Sequence, residues 1–266
     1  MKLILLLALA LTFPLATTAQ TKTRGLLLED LTWIEAEKVL TQDTVIVIPL
    51  GAAAKEHGPH LKLKNDLLIA EYLKKRVLEQ SNVVVAPTIS YHFYPGFLEY
   101  PGSTSLRLET ARDLVIDVVK SLARYGPQRF YILNTGISTL RALQPAAESL
   151  AIDGLTLRYT DLLKITGPIE KAIARQEGGT HADEIETSIM LYIAPATVDM
   201  KKAAKDYHPS RERGLTRNPQ GRGVYSASGV FGDATLATRA KGKQITKALV
   251  NGILKDIEDL RQTPPR

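Results

Sequence analysis

Four side chains of the kinds that bind divalent metals follow an apolar run of the sequence. The run Val45–Leu50 has the composition of a buried strand, and Glu56, His57, His60 and Asp66 all come within the next sixteen residues. Open α/β sheets place their ligand sites beyond the carboxyl ends of strands, so these side chains are expected at such a site. Imidazole and carboxylate together are the ligand mix that suits zinc or manganese.

His57 and Asp66 are the first candidate ligands in this loop. A glycine and a proline follow His57 and fix a sharp turn. The alternative for His57 is a loop histidine that caps backbone carbonyl groups. Asp66 stands just before a helical pattern over 67–78, where an Asp is a common N-cap, so a cap and a ligand are both open. His60 is the next candidate, and its alternative is to hold the loop by hydrogen bonds.

A second group of polar residues surrounds His181. Thr180 and Asp183 form a helix-start signal, which predicts that a helix begins at His181. Helical spacing then puts four residues on one face, namely Asp183, Glu186, Thr187 and Met190. The rest of that segment is apolar, so this face is not a simple surface stripe. The alternative for Glu186 is a structural partner of another buried polar group.

Four sequence blocks resemble the creatininase (creatinine amidohydrolase) family, and they occur in family order between about residues 28 and 260. The first is His-Gly-Pro-His-Leu from His57, with Asp66 nine residues after that histidine. The second is Tyr-Pro-Gly-Ser-Thr from Tyr100. The third is Thr-His-Ala-Asp-Glu-Ile-Glu-Thr-Ser from Thr180, and the fourth is Gly-Val-Phe-Gly-Asp from Gly229.

This resemblance implies an α/β fold, a mainly parallel sheet with helices on both faces, and metal-dependent hydrolysis of a C–N amide bond. It implies that His57, Asp66 and Glu186 are metal ligands and that Asp66 bridges two ions. His181 would act as the catalytic acid/base or contact the substrate. The resemblance also implies a ring-like homo-oligomer, a hexamer in the best-known members.

The sequence departs from the family pattern at two metal ligands. Lys55 stands where the family has a glutamate, with Glu56 one position late, and Gly136 aligns with the family's second metal histidine. A bulge could turn Glu56 inward as a ligand and Lys55 outward; the alternative is a solvated Glu56 paired with Lys55. His92 or Glu99 could replace the lost histidine. A binding or scaffold protein that has lost catalysis is therefore the alternative function.

The first nineteen residues have the pattern of a signal peptide. Lys2 precedes an apolar stretch, and small residues end at Ala19. The stretch is short for a membrane span of about 20 residues, so a membrane anchor is the weaker reading. We expect cleavage after Ala19 and a periplasmic or secreted protein, with no membrane association after cleavage. There is no cysteine, which excludes disulfides and thiolate ligands.

Apolar strand patterns alternate with helical patterns along the rest of the chain, which predicts the α/β class. Strands are predicted at 45–50, 82–86, 129–134 and 155–160, and helices at 67–78, 109–125, 139–152 and 234–261. No internal repeat or linker divides the sequence. We expect a single creatininase-like domain over 20–266.

Other functional classes find little support in the sequence. The net charge is +6, and much of the excess lies between Lys201 and Arg222, in a solvated loop or a flap that attracts an anionic substrate. No nucleic-acid-binding motif accompanies this charge. No Gly-x-Ser-x-Gly is present, and the Gly-x-Gly at 221–223 lacks the flanking elements of a dinucleotide site. We expect a small-molecule substrate and one or two zinc or manganese ions held by Glu56, His57, Asp66 and Glu186.

Overall fold

A parallel five-stranded sheet forms the centre of the protein in a computed structural model, which describes residues 23–209, 212 and 214–264. Its strands follow the spatial order β1-β3-β2-β4-β5. They are β1 (Leu26–Leu27), β2 (Val45–Leu50), β3 (Val84–Val85), β4 (Arg129–Asn134) and β5 (Thr156–Tyr159). The predicted signal peptide over residues 1–19 lies outside the described residues.

Helices cover both faces of this sheet. They are α1 (Trp33–Val39), α2 (Asn65–Gln80), α3 (Leu108–Ala123), α4 (Leu140–Ile152), α5 (Leu162–Ile173), α6 (Glu184–Ile193) and α7 (Arg239–Arg261). The described helices include none that is long and apolar enough to cross a membrane. Two small pairings lie outside the main sheet: antiparallel β6 (Lys205–Asp206) with β9 (Gly232–Asp233), and parallel β7 (Leu215–Thr216) with β8 (Val224–Tyr225).

Alternating side chains of the central strands fill two separate cores. On β2, Val45 and Val47 pack in a cluster with residues of α2, α6 and α7. Ile46 and Ile48 pack on the opposite face with residues of α3 and α4. All six residues of β2 are buried, as expected for a parallel strand that is covered on both faces. The predicted α/β fold with helices on both faces is therefore confirmed.

The register of the two central strands brings two functional loops together. β2 and β4 pair in parallel from Val45 with Arg129 to Leu50 with Asn134, so both strands end at the same level. The loop that carries His57 follows β2, and the loop that carries Gly136 follows β4. Ligand sites of open α/β sheets lie at this carboxyl edge.

The structure corrects two details of the sequence prediction around the site. Helix α6 begins at Glu184 rather than at His181, because the His181 backbone pairs with Phe231 in an antiparallel bridge and stays extended. Its N-cap is Asp183. The second correction concerns Asp66, which is not the N-cap of α2 but lies inside its first turn. Lys64 occupies the N-cap position, and its side chain makes no capping hydrogen bond.

Two helices, α1 and α5, were not predicted from the sequence. Helix α5 contains Gly167 and Pro168, which normally interrupt helices. Its apolar side chains pack against the α7 side of the sheet, where Ile165 and Ile169 join the larger core. Burial of these side chains stabilises the helix in spite of its unfavourable local sequence.

Candidate active site and metal centre

His57 is fully enclosed in the loop after β2, and its ring is held by hydrogen bonds on both nitrogens. Its Nδ1 lies 2.8 Å from the carbonyl oxygen of Lys55. A carbonyl oxygen only accepts, so Nδ1 carries the proton and donates it there. The other nitrogen, Nε2, lies 2.8 Å from Asp66 Oδ1 and 3.3 Å from Glu186 Oε1. The loop therefore presents Nε2 to two carboxylates.

Asp66 is completely buried at the start of α2 and contacts a different cation with each oxygen. Oδ1 faces His57 Nε2, and Oδ2 lies 2.8 Å from Lys55 Nζ. The ammonium and the imidazole together hold the pKa of Asp66 below its usual value, although burial alone would raise it. Asp66 is thus an ionised carboxylate between His57 and Lys55.

Glu186 is brought to the same place by the first turn of α6. Its Oε1 accepts a hydrogen bond of 2.9 Å from Asn65 Nδ2, and its Oε2 accepts one of 2.7 Å from the backbone N–H of Ala182. Burial raises its pKa, but the neighbouring His57 charge and hydrogen bond outweigh burial and hold the pKa well below the usual value. Asn65 was not recognised as a site residue from the sequence.

His181 lies opposite His57 and is positioned by three contacts. Its ring centroid is 5.1 Å from that of His57 and 4.4 Å from that of Phe97. Its Nε2 lies 3.0 Å from Glu56 Oε2. The next residue, Ala182, has a φ of 47°, a conformation that non-glycine residues rarely adopt. Backbone strain of this kind accumulates at functional sites.

The Gly-Val-Phe-Gly-Asp block from Gly229 packs against Glu56 and His181. Phe231 donates a backbone hydrogen bond of 2.9 Å to His181 and accepts one of 3.0 Å from Thr180. Gly229 has a φ of 80°, and a Cβ atom there would overlap the Glu56 carboxylate. This glycine therefore makes room for Glu56, a role that its position in the Gly-Val-Phe-Gly-Asp block did not reveal.

Three side chains form a cluster of the kind that holds a metal ion. Ligand atoms of His57, His181 and Glu186 all lie within 4.8 Å of one another. Two imidazoles and a carboxylate are a donor set that suits zinc or manganese, so the residues present fit one divalent ion. Asp66 adds a further carboxylate oxygen, because its Oδ1 contacts His57 Nε2, the nitrogen that also faces Glu186. The structure thus brings three of the predicted ligands, His57, Asp66 and Glu186, into contact.

Glu56 points inward, as expected if it replaces the family's glutamate ligand, but it contacts His181 rather than the other predicted ligands. Its Oε1 accepts a hydrogen bond from the backbone N–H of Gly58. It is only 6% exposed, so the alternative of a solvated Glu56 paired with Lys55 is wrong. The expectation that Lys55 turns outward is also wrong: Lys55 is 5% exposed and pairs with Asp66.

The ammonium of Lys55 is surrounded by carboxylates and rings. Nζ lies 4.8 Å from the centroid of Phe97 and 5.5 Å from that of Tyr94. Burial lowers the pKa of Lys55, but the Asp66 and Glu186 carboxylates outweigh it and raise the pKa above its ordinary value. Burial and the Lys55 charge likewise lower the pKa of His57, yet Asp66 and Glu186 raise it to about 9. Both groups are therefore cationic near neutral pH in the absence of a metal.

The remaining candidates lie apart from the cluster. His60 Nε2 lies 2.7 Å from Thr187 Oγ1, so it joins the loop to α6. His92 is buried against Tyr94, and Glu99 accepts hydrogen bonds from the backbone of Arg217 and the side chain of Thr216. Neither His92 nor Glu99 belongs to the cluster of His57, His181 and Glu186. The exposed His208 pairs with Asp206 at 3.1 Å.

A cavity of about 910 Å³ opens onto this cluster. Lys55, His181 and Glu186 are among its polar lining residues. Its walls are largely apolar and include Phe97, Ile137, Leu140, Leu162 and Ile189. A concave apolar site with a few convergent polar groups is the usual form of a small-molecule pocket.

The chain is similar in sequence to known hydrolases. A creatinine amidohydrolase of Pseudomonas putida is 29% identical over 255 residues, which cover 89% of this chain and 96% of that protein. A mycofactocin precursor peptide peptidase of Mycobacterium tuberculosis is 28% identical over 229 residues, with 80% of this chain and 84% of that protein covered.

Solved structures of creatininase superpose over most of the chain. One described as a manganese creatininase has a TM-score of 0.72 at 26% identity and covers 90% of this chain and 100% of its own. A mutant described as of Zn-Zn type has a TM-score of 0.71 at 25% identity and covers 89% and 98%. The family model described as creatininase, creatinine amidohydrolase, matches residues 29–257. The chain belongs to the creatininase family.

Proposed function

We propose that this protein is a metal-dependent amidohydrolase that cleaves a C–N bond of a small molecule with a cyclic or linear amide. The observation that carries the proposal is the position of His57 Nε2, 2.8 Å from Asp66 Oδ1 and 3.3 Å from Glu186 Oε1. His181 lies in the same cluster and lines the adjoining cavity. Relatives that are named as hydrolases of creatinine and of a precursor peptide, and creatininase structures described with manganese and zinc, support it.

His57 and Glu186 would hold the ion, together with Asp66. A divalent ion in such a site lowers the pKa of a water molecule and polarises a carbonyl group. The backbone carbonyl of Lys55 keeps the His57 proton on Nδ1, so Nε2 is the nitrogen that is available as a ligand once its own proton leaves. Asn65 and the Ala182 N–H fix the orientation of Glu186.

His181 would move the proton to the leaving nitrogen. Its Nε2 faces the Glu56 carboxylate at 3.0 Å, and a carboxylate only accepts hydrogen bonds. Nε2–H therefore donates to Glu56, which leaves Nδ1 to take up and deliver a proton. The carboxylate also stabilises the imidazolium that forms after proton uptake. The arrangement repeats the general pattern of a base that is oriented by a third group.

Metal analysis tests this function most directly. Purified mature protein should contain zinc or manganese, or bind either ion after reconstitution, and hydrolysis of an amide panel should stop on chelation and return with the ion. His57→Ala and Glu186→Gln should each weaken metal affinity by at least about 10–100-fold, since loss of groups that merely support ligands already costs that much. His208→Ala, at an exposed histidine, is the control.

The competing function is a binding or scaffold protein that has lost catalysis. The observation that favours it is the loss of two family ligands, at Lys55 and Gly136. Failure to bind any divalent ion after reconstitution would support this alternative and overturn the proposed hydrolase.

A further inference from the structure

A buried ammonium occupies the candidate metal centre. Lys55 Nζ lies 2.8 Å from Asp66 Oδ2, and both side chains are almost completely enclosed. The rings of Phe97 and Tyr94 lie against the ammonium on other sides. A buried charge needs both an opposite charge and close contacts to persist, and Lys55 has both.

Asp66 contacts both this ammonium and the cluster of His57, His181 and Glu186. Its Oδ1 contacts His57 Nε2, which belongs to the cluster, and its Oδ2 contacts Lys55. The family resemblance implies that this aspartate bridges two metal ions. Here the oxygen that would face a second ion already faces an organic cation.

The other expected ligand of a second ion is also absent from this end of the site. Gly136 has no side chain, and its backbone N–H and carbonyl are both bonded to the side chain of Asn134. A Cβ atom at Gly136 would lie 3.0 Å from Thr139 and 3.3 Å from Tyr94. Among the described residues, the cluster of His57, His181 and Glu186 is the one group arranged to hold a metal.

We propose that the Lys55 ammonium takes the place of a second metal ion, so that the protein binds one divalent ion per chain beside a fixed organic cation. This inference rests on the proposed metal-dependent function. Lys55 lines the cavity, so its N–H groups can donate to the oxygen of a bound amide carbonyl as negative charge develops there. A dication placed beside Asp66 Oδ2 would be repelled by the ammonium, since like charges at contact distance interact strongly in a buried site.

Zinc alone is a sufficient probe for the first test. Native mass spectrometry of the mature protein, titrated with Zn²⁺, should show one ion per chain. Lys55→Gln removes the positive charge and frees Asp66, so it should bind the ion about tenfold more tightly. Lys55→Arg keeps the charge and should bind within about threefold of the unmutated protein. Lys74→Gln is the matched control: Lys74 is another buried lysine, which pairs at 2.9 Å with the exposed Glu29 away from the site, so its replacement should leave zinc affinity unchanged.

The outcomes separate this inference from the function on which it rests. Two tightly bound ions per chain in the unmutated protein, or unchanged zinc affinity in folded Lys55→Gln, would overturn the role of Lys55 while leaving a metal-dependent hydrolase standing. Failure of every form to bind zinc would overturn both. If Lys55→Gln does not fold, the number of ions in the unmutated protein and in Lys55→Arg decides the matter, with one in each as the supporting result.

Discussion

Glu56 Oε2 and His181 Nε2 lie 3.0 Å apart, although 125 residues separate them in the chain. The contact joins the loop after β2 to the segment before α6, and both side chains are more than nine-tenths buried. Neither sequence block shows this contact by itself. The carboxylate fixes which nitrogen of His181 carries a proton and stabilises the positive charge when His181 is protonated.

Replacement of this carboxylate should therefore reduce turnover without removing the ion. In Glu56→Gln the amide retains the shape of the side chain but lacks its charge, so the imidazolium loses its counter-charge. We expect hydrolysis to fall by about 10²–10⁴-fold, the usual contribution of positioned acid–base groups. Zinc content measured in the same preparation should remain near that of the unmutated protein. Loss of zinc would instead make Glu56 a ligand, as first predicted from the sequence.

The role of His181 itself is tested by His181→Asn. If this histidine moves protons while His57, Asp66 and Glu186 hold the ion, hydrolysis should fall by about 10²–10⁴-fold and zinc affinity should change only several-fold. Both quantities can be measured on one sample, by turnover and by competitive zinc titration. A fall in zinc affinity as large as that of His57→Ala would place His181 among the ligands, in line with the proximity of its ring to His57 and Glu186.

Gly229 is predicted to be essential for placing Glu56. Its φ of 80° and the overlap of a Cβ atom with the Glu56 carboxylate make Gly229→Ala doubly unfavourable. We expect a loss of about 1–3 kcal/mol in the free energy of unfolding and a fall in hydrolysis, measured by urea denaturation and turnover. Gly167→Ala is the control, because a Cβ atom there meets nothing within 4 Å inside helix α5. That variant should be neutral or more stable, and equal effects of the two substitutions would contradict the prediction.

His92 should make the protein sensitive to acid. Burial lowers its pKa from 6.5 to about 4, so the folded state keeps this side chain neutral while the unfolded chain binds a proton. A depressed pKa of this kind gives stability that is present above pH 6.5 and is lost as the pH falls towards 4. The shift corresponds to about 3 kcal/mol. His60 shows the same depression to about 4 and adds to the effect.

Replacement of His92 by Phe should therefore reduce the loss in free energy of unfolding between pH 7 and pH 4.5. The comparison is the difference in free energy of unfolding between pH 7 and pH 4.5, by urea titration, for His92→Phe and the unmutated protein. His208→Gln, at an exposed histidine, controls for the loss of one titratable group. An unchanged pH dependence in His92→Phe would show that His92 is not the source.

Export remains a prediction of the sequence. If residues 1–19 are a signal peptide, the protein recovered from its native cell should begin at Gln20 and be found in the periplasm or outside the cell. Mass spectrometry of the amino-terminal peptide measures this directly. An unprocessed Met1 on cytoplasmic protein would exclude it.

The sequence by itself determined the fold class, the family and the main elements. Strands β2 and β4 match their predicted bounds because short runs rich in β-branched and aromatic residues are typical of strands in a buried parallel sheet. The spacing from His57 to Asp66 indicated a contact that the structure contains, since both residues lie on one short loop-to-helix segment. Helix α5 was missed because its burial against α7, and not its local propensity, stabilises it.

Only the tertiary structure decided which residues Lys55 and Glu56 contact. A metal ion would repel the ammonium of Lys55, which predicted that Lys55 turns outward while Glu56 turns inward. In the folded loop both are buried, because each finds a partner on another element: Lys55 pairs with the Asp66 carboxylate, and Glu56 accepts a hydrogen bond from His181 Nε2. The free energy of a buried charge depends on such partners, and their positions are set by the packing of the whole sheet and its helices.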